Sequence, residues 1–435
     1  MNFTEEEINA GNQDVIQIIQ TSKVNLCDVE YAGEAIDFLK GFSLLHSGPP
    51  VQWRNMCSAM RSAVCGAAVY EGWAENLEEA QDMAERGCFS FGSNNEHSAV
   101  GPMAGIVSPS MPVMIFQNTT FGNKSFVTFN EGLGKALRFG ANDDFVINRL
   151  KWIEKVLAPI IKEALNRSGP IDITSMMARG IQRGDECHNR NKSSTSLFIR
   201  KIAPWVVRTA GSREEIAEVL SFMDRNDHFF LNLSMGSSKA TMDATIGIRA
   251  STIVNCMCAN GYQFGIRVAG AGKEWFTGSS GYAKGHYFNG YNAGDANKVM
   301  GDSYISEAAG IGAFAMGSAP GGGRFIGIKP AETLQYSLKM YGITVAEHEA
   351  FKIPALDFRG TPLGIDIRNV FQTGVLPVIN TGIAHKKSGI GQIGAGVVYP
   401  PMVCFNKAIR EMGLNTSDGN SIAGNKNIIL KENAK

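Results

Sequence analysis

Residues 184–191 have the sequence GDECHNRN, and no aliphatic side chain interrupts this polar run. It combines two groups that transfer protons, Glu186 and His188, with the guanidinium of Arg190, whose planar fork binds a carboxylate or a phosphate at two points. A helix that begins here would also stabilise a bound anion at its N-terminus. These residue types predict a catalytic segment in which Glu186, His188 and Arg190 carry the chemistry.

Two other interpretations of the same residues remain open. In the structural one, Asp185 caps a helix that ends near Phe198, and Glu186 forms an ion pair with the arginine four residues later. In the metal-binding one, Asp185 and His188 share a helix face, but one Cys and one His fall short of a zinc pattern, so we predict no metal. If the segment is catalytic, we expect Asp185 and Asn191 to contact the substrate.

Two further polar clusters accompany this segment. The first, SNNEHSAVGPM, begins at residue 93 and ends in turn-forming residues, which a simple surface loop would explain equally well. The second, FNEGLGKALRFGAND, begins at residue 129 and places cationic side chains between glycines beside a helix start. An anion-binding loop has this pattern, and so does an exposed amphipathic turn. We predict that the two clusters bind substrate through Asn94, Asn95, His97, Asn130, Glu131, Arg138 and Asn142.

The overall composition excludes several classes of protein. Lysine plus arginine and aspartate plus glutamate each number 41 among 435 residues, so no global charge attracts nucleic acid or anionic lipid. No apolar run of about 18 residues predicts a membrane span, and the acidic N-terminus lacks a signal-peptide pattern. The eight cysteines are scattered, which favours a reducing cytoplasm over a disulfide framework. A lone GxGxxG match, GIGQIG at 389–394, does not follow a strand directly, so we predict no dinucleotide cofactor.

The hydrophobic pattern changes between helical and strand-like spacing without a strict βα repeat. Helical spacing covers 54–87 and most of 141–223, whereas PVMIFQN and SFVTFN are typical of strands. A long helix is expected over 238–259 and a strand over 353–358. This mixture predicts a multidomain, mixed α/β (α+β) fold with a small helical domain in or between the α/β domains. The expected domains are N-terminal helices with a mixed α/β domain (1–140), a helical domain (141–215) and a Gly-rich mixed α/β domain (216–435).

Three stretches, GPMAGIVSPSMPVMIFQN, NEGLGKALRFGAND and GDECHNRN, occur in this order with the spacing of a known family. They resemble the YlbE/AllG-like proteins, and the resemblance extends over roughly residues 50–410. It implies a multidomain α/β fold with a small helical domain. It also implies a subunit of an oxamate carbamoyltransferase complex in anaerobic allantoin breakdown. The expected partners are an FdrA-like protein, which resembles acyl-CoA synthetases, and a third subunit. The implied reaction, or a relative of it, exchanges carbamoyl phosphate and oxamate with oxalurate and phosphate.

The resemblance assigns no catalytic residues, so their roles follow from the chemistry of carbamoyl transfer. This reaction requires cationic or N–H groups for the phosphate, a polarised carbonyl and a proton acceptor for the attacking nitrogen. We expect Arg138 and Arg190 to bind phosphate or carboxylate, and His188 or Glu186 to handle the proton. The asparagines and His97 would orient the amide of an oxamate-like acceptor.

Other functions remain open at this stage. The chain could instead be a non-catalytic scaffold or regulatory partner of the FdrA-like protein, or a standalone hydrolase or lyase that acts on small amides. The acceptor and the existence of a homo-oligomer also stay open. The idea of one shared site would fail if the three clusters lay more than about 15 Å apart, because catalytic groups must reach hydrogen-bond distance of one substrate.

Overall fold

The computed structural model describes residues 3–414, apart from the side chains of residues 324 and 325. Helices and strands alternate irregularly along these residues. The helices are α1 (Glu5–Thr21), α2 (Ala32–Ala35), α3 (Ser58–Tyr70), α4 (Leu77–Glu85), α5 (Asp144–Trp152), α6 (Ala158–Ser168), α7 (Ile173–Gln182), α8 (Lys192–Val206), α9 (Arg213–Arg225), α10 (Phe229–Asp243), α11 (Ile305–Ala308), α12 (Pro320–Ile326), α13 (Pro330–Met340), α14 (Ile367–Thr373) and α15 (Met402–Glu411). The strands are β1 (Val24–Tyr31), β2 (Ser43–His46), β3 (Ser90–Ser93), β4 (Pro112–Asn118), β5 (Lys124–Thr128), β6 (Ile171–Asp172), β7 (Val254–Asn260), β8 (Gln263–Val268), β9 (Phe276–Ser279), β10 (Lys284–Tyr287), β11 (Met300–Gly301), β12 (Thr344–Ile353), β13 (Arg359–Ile365), β14 (Ile379–Ala384) and β15 (Gln392–Val398).

The strands belong to several small sheets rather than to one large one. Two antiparallel sheets have four strands each, in the orders β5–β4–β1–β6 and β11–β7–β8–β9. A third antiparallel sheet has the order β10–β15–β14, and β12–β13 and β2–β3 form an antiparallel and a parallel pair. Several small sheets mixed with helices confirm the predicted multidomain α/β class.

Helix α10 is buried on nearly every side and connects several of these elements. It packs against β4, β5, α7, α8 and α11. Gly236 is required where α10 meets β4, because a Cβ at this position would lie 2.3 Å from the ring of Phe116. Further along the helix, the buried ammonium of Lys239 donates to the carboxylate of Asp243 and to the backbone carbonyl of Asn95. Helix α10 thereby links the β4–β5 region to the first polar cluster.

The segment predicted as helical contains α5 to α9, with the two-residue strand β6 between α6 and α7 and an irregular loop, residues 183–191, between α7 and α8. A π-helical turn over Ile153–Leu157 joins α5 to α6, so the break expected at Pro159 takes the form of one irregular turn. Asp172 caps α7, as predicted, and Ser212 caps α9. The domain boundaries themselves stay a prediction.

Two predicted segments are wrong. The expected helix over 238–259 is the end of α10 followed by β7, whose residues are all buried. A completely buried strand loses the alternation that distinguishes strands from helices, which explains the error. The expected strand over 353–358 is instead a turn between β12 and β13, with Asp357 and Phe358 at positive φ.

None of the helices between residues 3 and 414 combines the length and the apolar character that a membrane crossing needs.

Candidate active site

The GDECHNRN segment is an irregular loop that precedes helix α8. The predicted helix start is wrong, because α8 begins at Lys192 and Cys187 has a φ of 61°. Asp185 nevertheless supports the helix from outside, since its Oδ2 accepts from the backbone N–H and the hydroxyl of Ser194, at 2.6 and 2.8 Å. The capping role of Asp185 is therefore real, although the loop that carries it extends to Asn191.

The predicted ion pair between Glu186 and Arg190 does not form. The buried carboxylate of Glu186 accepts instead from the backbone N–H groups of His188, at 3.2 Å, and of Arg190, at 2.5 Å. Burial raises the pKa of Glu186 to about 7, although His188 and the N–H of Arg190 act in the opposite direction. The carboxylate of Glu186 thus holds the loop in shape through the backbone N–H groups of His188 and Arg190. Its pKa lies near neutral pH.

His188 is buried and is held by a carboxylate that the sequence analysis did not single out. Its Nδ1 lies 2.9 Å from Oε1 of Glu307, and the same oxygen accepts from the backbone N–H groups of Ala313 and Asn380. Burial alone would lower the pKa of His188, but the charges of Glu307 and Glu186 outweigh it and raise the pKa. No described residue bonds the other ring nitrogen, Nε2. Glu307 therefore fixes the orientation of the ring and leaves Nε2 available for proton transfer.

One cavity brings the second and third polar clusters together. Arg138 and His188 both line this cavity. The volume of the cavity is about 340 Å³, including the open space at its mouth. Asn189, His228 and Ser303 add polar groups to the wall, and the Nε2 of His228 lies 2.7 Å from the backbone carbonyl of Asn189. The remaining lining residues are Pro102, Met103, Phe139, Leu231, Gly382 and Gln392.

Arg138 has unused hydrogen-bonding capacity in this wall. Its side chain donates from Nη2 to the carbonyl of Gly132, at 2.5 Å, whereas its buried Nε and Nη1 have no partner among the described residues. Burial lowers the pKa of Arg138 to about 10, and the charge of Glu131 partly opposes this shift. A guanidinium with a pKa of about 10 is still charged at neutral pH. Arg138 therefore offers two unpaired donor nitrogens and a positive charge to an anion. The amide Nδ2 of Asn189 is a third buried donor without a partner in the described chain.

The first polar cluster lies behind the wall rather than in it. The amides of Asn94 and Asn95 donate to the two carboxylate oxygens of Asp302, at 3.0 and 2.8 Å. His97 stacks on Phe38, with 4.5 Å between ring centroids, and burial lowers its pKa. These residues were expected to touch substrate, but Asn94 and Asn95 instead support Asp302, which precedes Ser303 of the cavity wall, and His97 packs against Phe38.

Of the other residues of the second cluster, Glu131 contacts Arg138 directly, whereas Asn130 and Asn142 bond to neighbouring elements. Glu131 accepts from the backbone N–H groups of Leu137 and Arg138, at 2.6 and 3.2 Å, and burial raises its pKa. Asn130 bonds with Asn232 and Asn226, and Asn142 donates to the carbonyl and hydroxyl of Ser62. Glu131 and Arg138 also line a second cavity.

The last two residues of the GDECHNRN prediction make contacts within their own loop. The guanidinium of Arg190 donates to the carbonyl of Gly184, lies 3.8 Å from Oδ1 of Asp185 and is 37% exposed. Asn191 is buried, and its Nδ2 donates to the carbonyl of His188. Neither residue is part of the described cavity wall.

Several residues of the site escaped the sequence analysis. Asp302, Ser303 and Glu307 lie in GDSYISEAAGIGAF, to which the sequence analysis assigned no chemical role, and the cavity residues Asn189 and His228 were not singled out either. An acidic residue among small and apolar neighbours must find a buried partner, and that signal could have identified Glu307. In the described chain, no group of three or more His, Cys, Asp or Glu side chains is arranged to hold a metal ion.

The sequence is similar to known proteins over nearly all of its length. The family model described as oxamate carbamoyltransferase subunit AllG matches residues 89–303. The chain is 44% identical over 405 residues to the oxamate carbamoyltransferase subunit AllG of Escherichia coli (strain K12). The aligned residues cover 92% of this chain and 97% of that protein. The chain belongs to the AllG family. The family predicted from the three motifs is thereby confirmed.

Two further proteins are similar to this AllG family member. The uncharacterized protein YahG of Escherichia coli (strain K12) is 42% identical over 404 residues, 93% of this chain and 86% of that protein. A crystal structure of a conserved protein of unknown function from Enterococcus faecalis V583 has the same fold, with a TM-score of 0.93 and 43% identity over 95% of this chain and 99% of that one. The segment that matches the AllG family model includes all three polar clusters and ends at Ser303, four residues before Glu307.

Proposed function

We propose that this chain is a subunit of a carbamoyltransferase and contributes the site at which a carbamoyl group moves between an oxamate-like amide and phosphate. The name of the Escherichia coli AllG relative supports this class of reaction. The observation that carries the proposal is the shared cavity of Arg138 and His188, in which an anion-binding cation faces the same space as an imidazole held by a buried carboxylate.

The two side chains have complementary roles in this reaction. The donors of Arg138 bind the phosphate or the substrate carboxylate at two points, and the amide of Asn189 polarises the carbamoyl oxygen. When phosphate attacks the carbamoyl carbon of oxalurate, the bond to the amide nitrogen breaks and this nitrogen requires a proton. The neighbouring charges of Glu307 and Glu186 raise the pKa of His188, which favours the protonated imidazole and suits it to donate from Nε2. In the reverse direction, the neutral ring accepts a proton from the attacking oxamate nitrogen.

The remaining predicted residues have supporting roles in this proposal. Glu186 folds the loop that carries His188, and Asp185 and Asn191 hold the two ends of that loop. Arg190, which does not line the cavity, would attract anionic substrates rather than contact the reacting atoms. We further propose that the chain works in the cytoplasm with an FdrA-like protein and a third subunit, in the breakdown of allantoin.

The test is an assay of the assembled complex. The chain is co-purified with its FdrA-like neighbour, and carbamoyl phosphate is measured after oxalurate and phosphate are added. We expect Arg138→Met to reduce the rate by about 10³-fold, because one preorganised donor group is worth about 3–4 kcal/mol in a transition state.

Arg149→Met is the matched control for this variant. The guanidinium of Arg149 is close enough to lower the pKa of Arg138, but it donates to the carbonyl of Glu131 and does not line the cavity. Its rate should stay within a few-fold of the wild type. Equal rates for wild type and Arg138→Met, in a complex that still requires this chain, would contradict the proposed site and favour a scaffold.

A further inference from the structure

The cavity contains a second reactive side chain to which the proposed function gives no role. Ser303 lines the same wall as His188 and Arg138, and only 4% of its surface is exposed. Its hydroxyl makes no hydrogen bond to another described residue. A buried hydroxyl normally finds a partner within the protein, so a serine whose hydroxyl has none, in the wall of a polar cavity, is available to a ligand.

Ser303 is also held rigidly in this position. The carboxylate of the preceding residue, Asp302, accepts four hydrogen bonds, and the carbonyl of Ser303 accepts from the N–H of Ser306. The chain reaches this point through Gly301 at a φ of 134°, where a Cβ would lie 2.9 Å from the backbone nitrogen of Met103. A nucleophile needs such fixed support, because small displacements of a reacting atom reduce the rate strongly.

The base that would activate this hydroxyl is His188, which lines the same cavity. Glu307 follows Ser303 by four residues and holds Nδ1 of His188, and Nε2 of that ring has no partner in the described residues. A serine hydroxyl, an imidazole and a carboxylate that orients the imidazole have the three roles of a nucleophile, a base and an orienting group. The donors of Arg138 and Asn189 supply stabilisation for a developing oxyanion in the same cavity.

We propose that Ser303 is a catalytic nucleophile and that carbamoyl transfer proceeds through a serine carbamate. This inference rests on the proposed function and adds a covalent step to it. The Ser303 oxygen attacks the carbamoyl carbon of oxalurate, the bond to the amide nitrogen breaks, and the hydroxyl proton passes through Nε2 of His188 to that nitrogen, which releases oxamate. Phosphate then attacks the carbamate carbon, the bond to the serine oxygen breaks, and the phosphate proton returns through His188 to Ser303, which releases carbamoyl phosphate.

Isotope exchange distinguishes this route from direct transfer. The assembled complex is incubated with unlabelled oxalurate and labelled oxamate in the absence of phosphate, and label is measured in oxalurate. A serine carbamate permits this exchange because the first half-reaction is complete without phosphate, whereas direct transfer requires both substrates together. We expect exchange in the wild type and a loss of about three orders of magnitude in Ser303→Ala.

Ser306→Ala is the matched control, since Ser306 is a buried serine in α11, three residues after Ser303, and does not line the cavity. It should retain both exchange and complete transfer. Complete transfer with phosphate but no exchange without it would overturn the covalent step while leaving the proposed function intact. Exchange that survives in Ser303→Ala would also overturn the assignment, because another group would then carry the carbamoyl group. Absence of transfer under every condition would overturn the proposed function and this inference with it.

Discussion

The carboxylates of Asp302 and Glu307 are both completely buried, but their hydrogen bonding differs. Asp302 accepts two bonds at each oxygen, from the N–H groups of Gly48 and Gly101 and from the amides of Asn94 and Asn95. Glu307 accepts three bonds at Oε1, one of them from His188, whereas its buried Oε2 has no partner among the described residues.

This difference in hydrogen bonding distinguishes a carboxylate that supports the structure, Asp302, from one that orients a reactive group, Glu307. A buried carboxylate with every oxygen satisfied stabilises its surroundings and has no capacity left for a ligand. A carboxylate with one unsatisfied oxygen costs free energy in the folded protein, and such costs are typical of functional sites. In the cavity wall, Arg138 and Asn189 likewise have buried donors without partners in the described chain.

The largest effect on stability is expected from Asp302→Asn. The introduced NH₂ group would face two of the four present donors and leave them unpaired in the interior. Each unpaired donor costs about 1–3 kcal/mol, so the free energy of unfolding should fall by about 4 kcal/mol. Urea unfolding at neutral pH measures this loss.

Glu307→Gln is the matched variant that sharpens the comparison. Its amide nitrogen can take the place of the unsatisfied Oε2, so the free energy of unfolding should change by no more than about 1 kcal/mol. Removal of the negative charge should lower the pKa of His188, which moves the pH optimum of transfer to more acidic values and reduces the rate. Equal losses of stability in the two variants would contradict the distinction between the two carboxylates.

A smaller loss is expected where the chain passes beside Glu307. Gly312 has a φ of 63°, and a Cβ there would lie 2.2 Å from Oε1 of Glu307. Gly272 has a nearly identical φ of 64° with nothing within 4 Å of its Cβ position. Gly272→Ala should therefore cost only the backbone strain of about 1 kcal/mol, whereas Gly312→Ala should cost about 3 kcal/mol and displace the carboxylate from His188.

Thermal unfolding and the transfer assay together measure this difference. Only Gly312→Ala should lose activity in the folded protein. If both variants lost activity equally, the contact between Gly312 and Glu307 would have no part in positioning His188.

The sequence identified the part of the site that is continuous in the chain. GDECHNRN and the stretch around Arg138 were recognised by residue type, and the structure brings His188 and Arg138 into one cavity. The role of Asn94 and Asn95 could not be predicted, because their partner, Asp302, lies about 200 residues further along the chain and no local pattern encodes that pairing. In the fold, amphipathic helices such as α7 and α9 were predicted well, whereas the buried strand β7 was mistaken for a helix because burial on both faces removes the period of two.

The pH dependence of stability tests the environment of Glu186, the remaining carboxylate near His188. The pKa of Glu186 is about 7 in the folded protein and near the ordinary 4.5 in the unfolded chain, so between these values the folded state holds one proton more. Stability from this group is therefore complete below about pH 4.5 and is lost as pH rises through 7, with a fall of about 2 kcal/mol between pH 5 and pH 7.

Other groups titrate in the same range, His188 among them, and Glu186→Gln removes the contribution of Glu186. Urea unfolding of both proteins across this range should show the advantage of the wild type shrinking by about 2 kcal/mol as pH rises. A constant difference would mean that Glu186 is already ionised at pH 5, and that the N–H groups of His188 and Arg190 outweigh the cost of its burial.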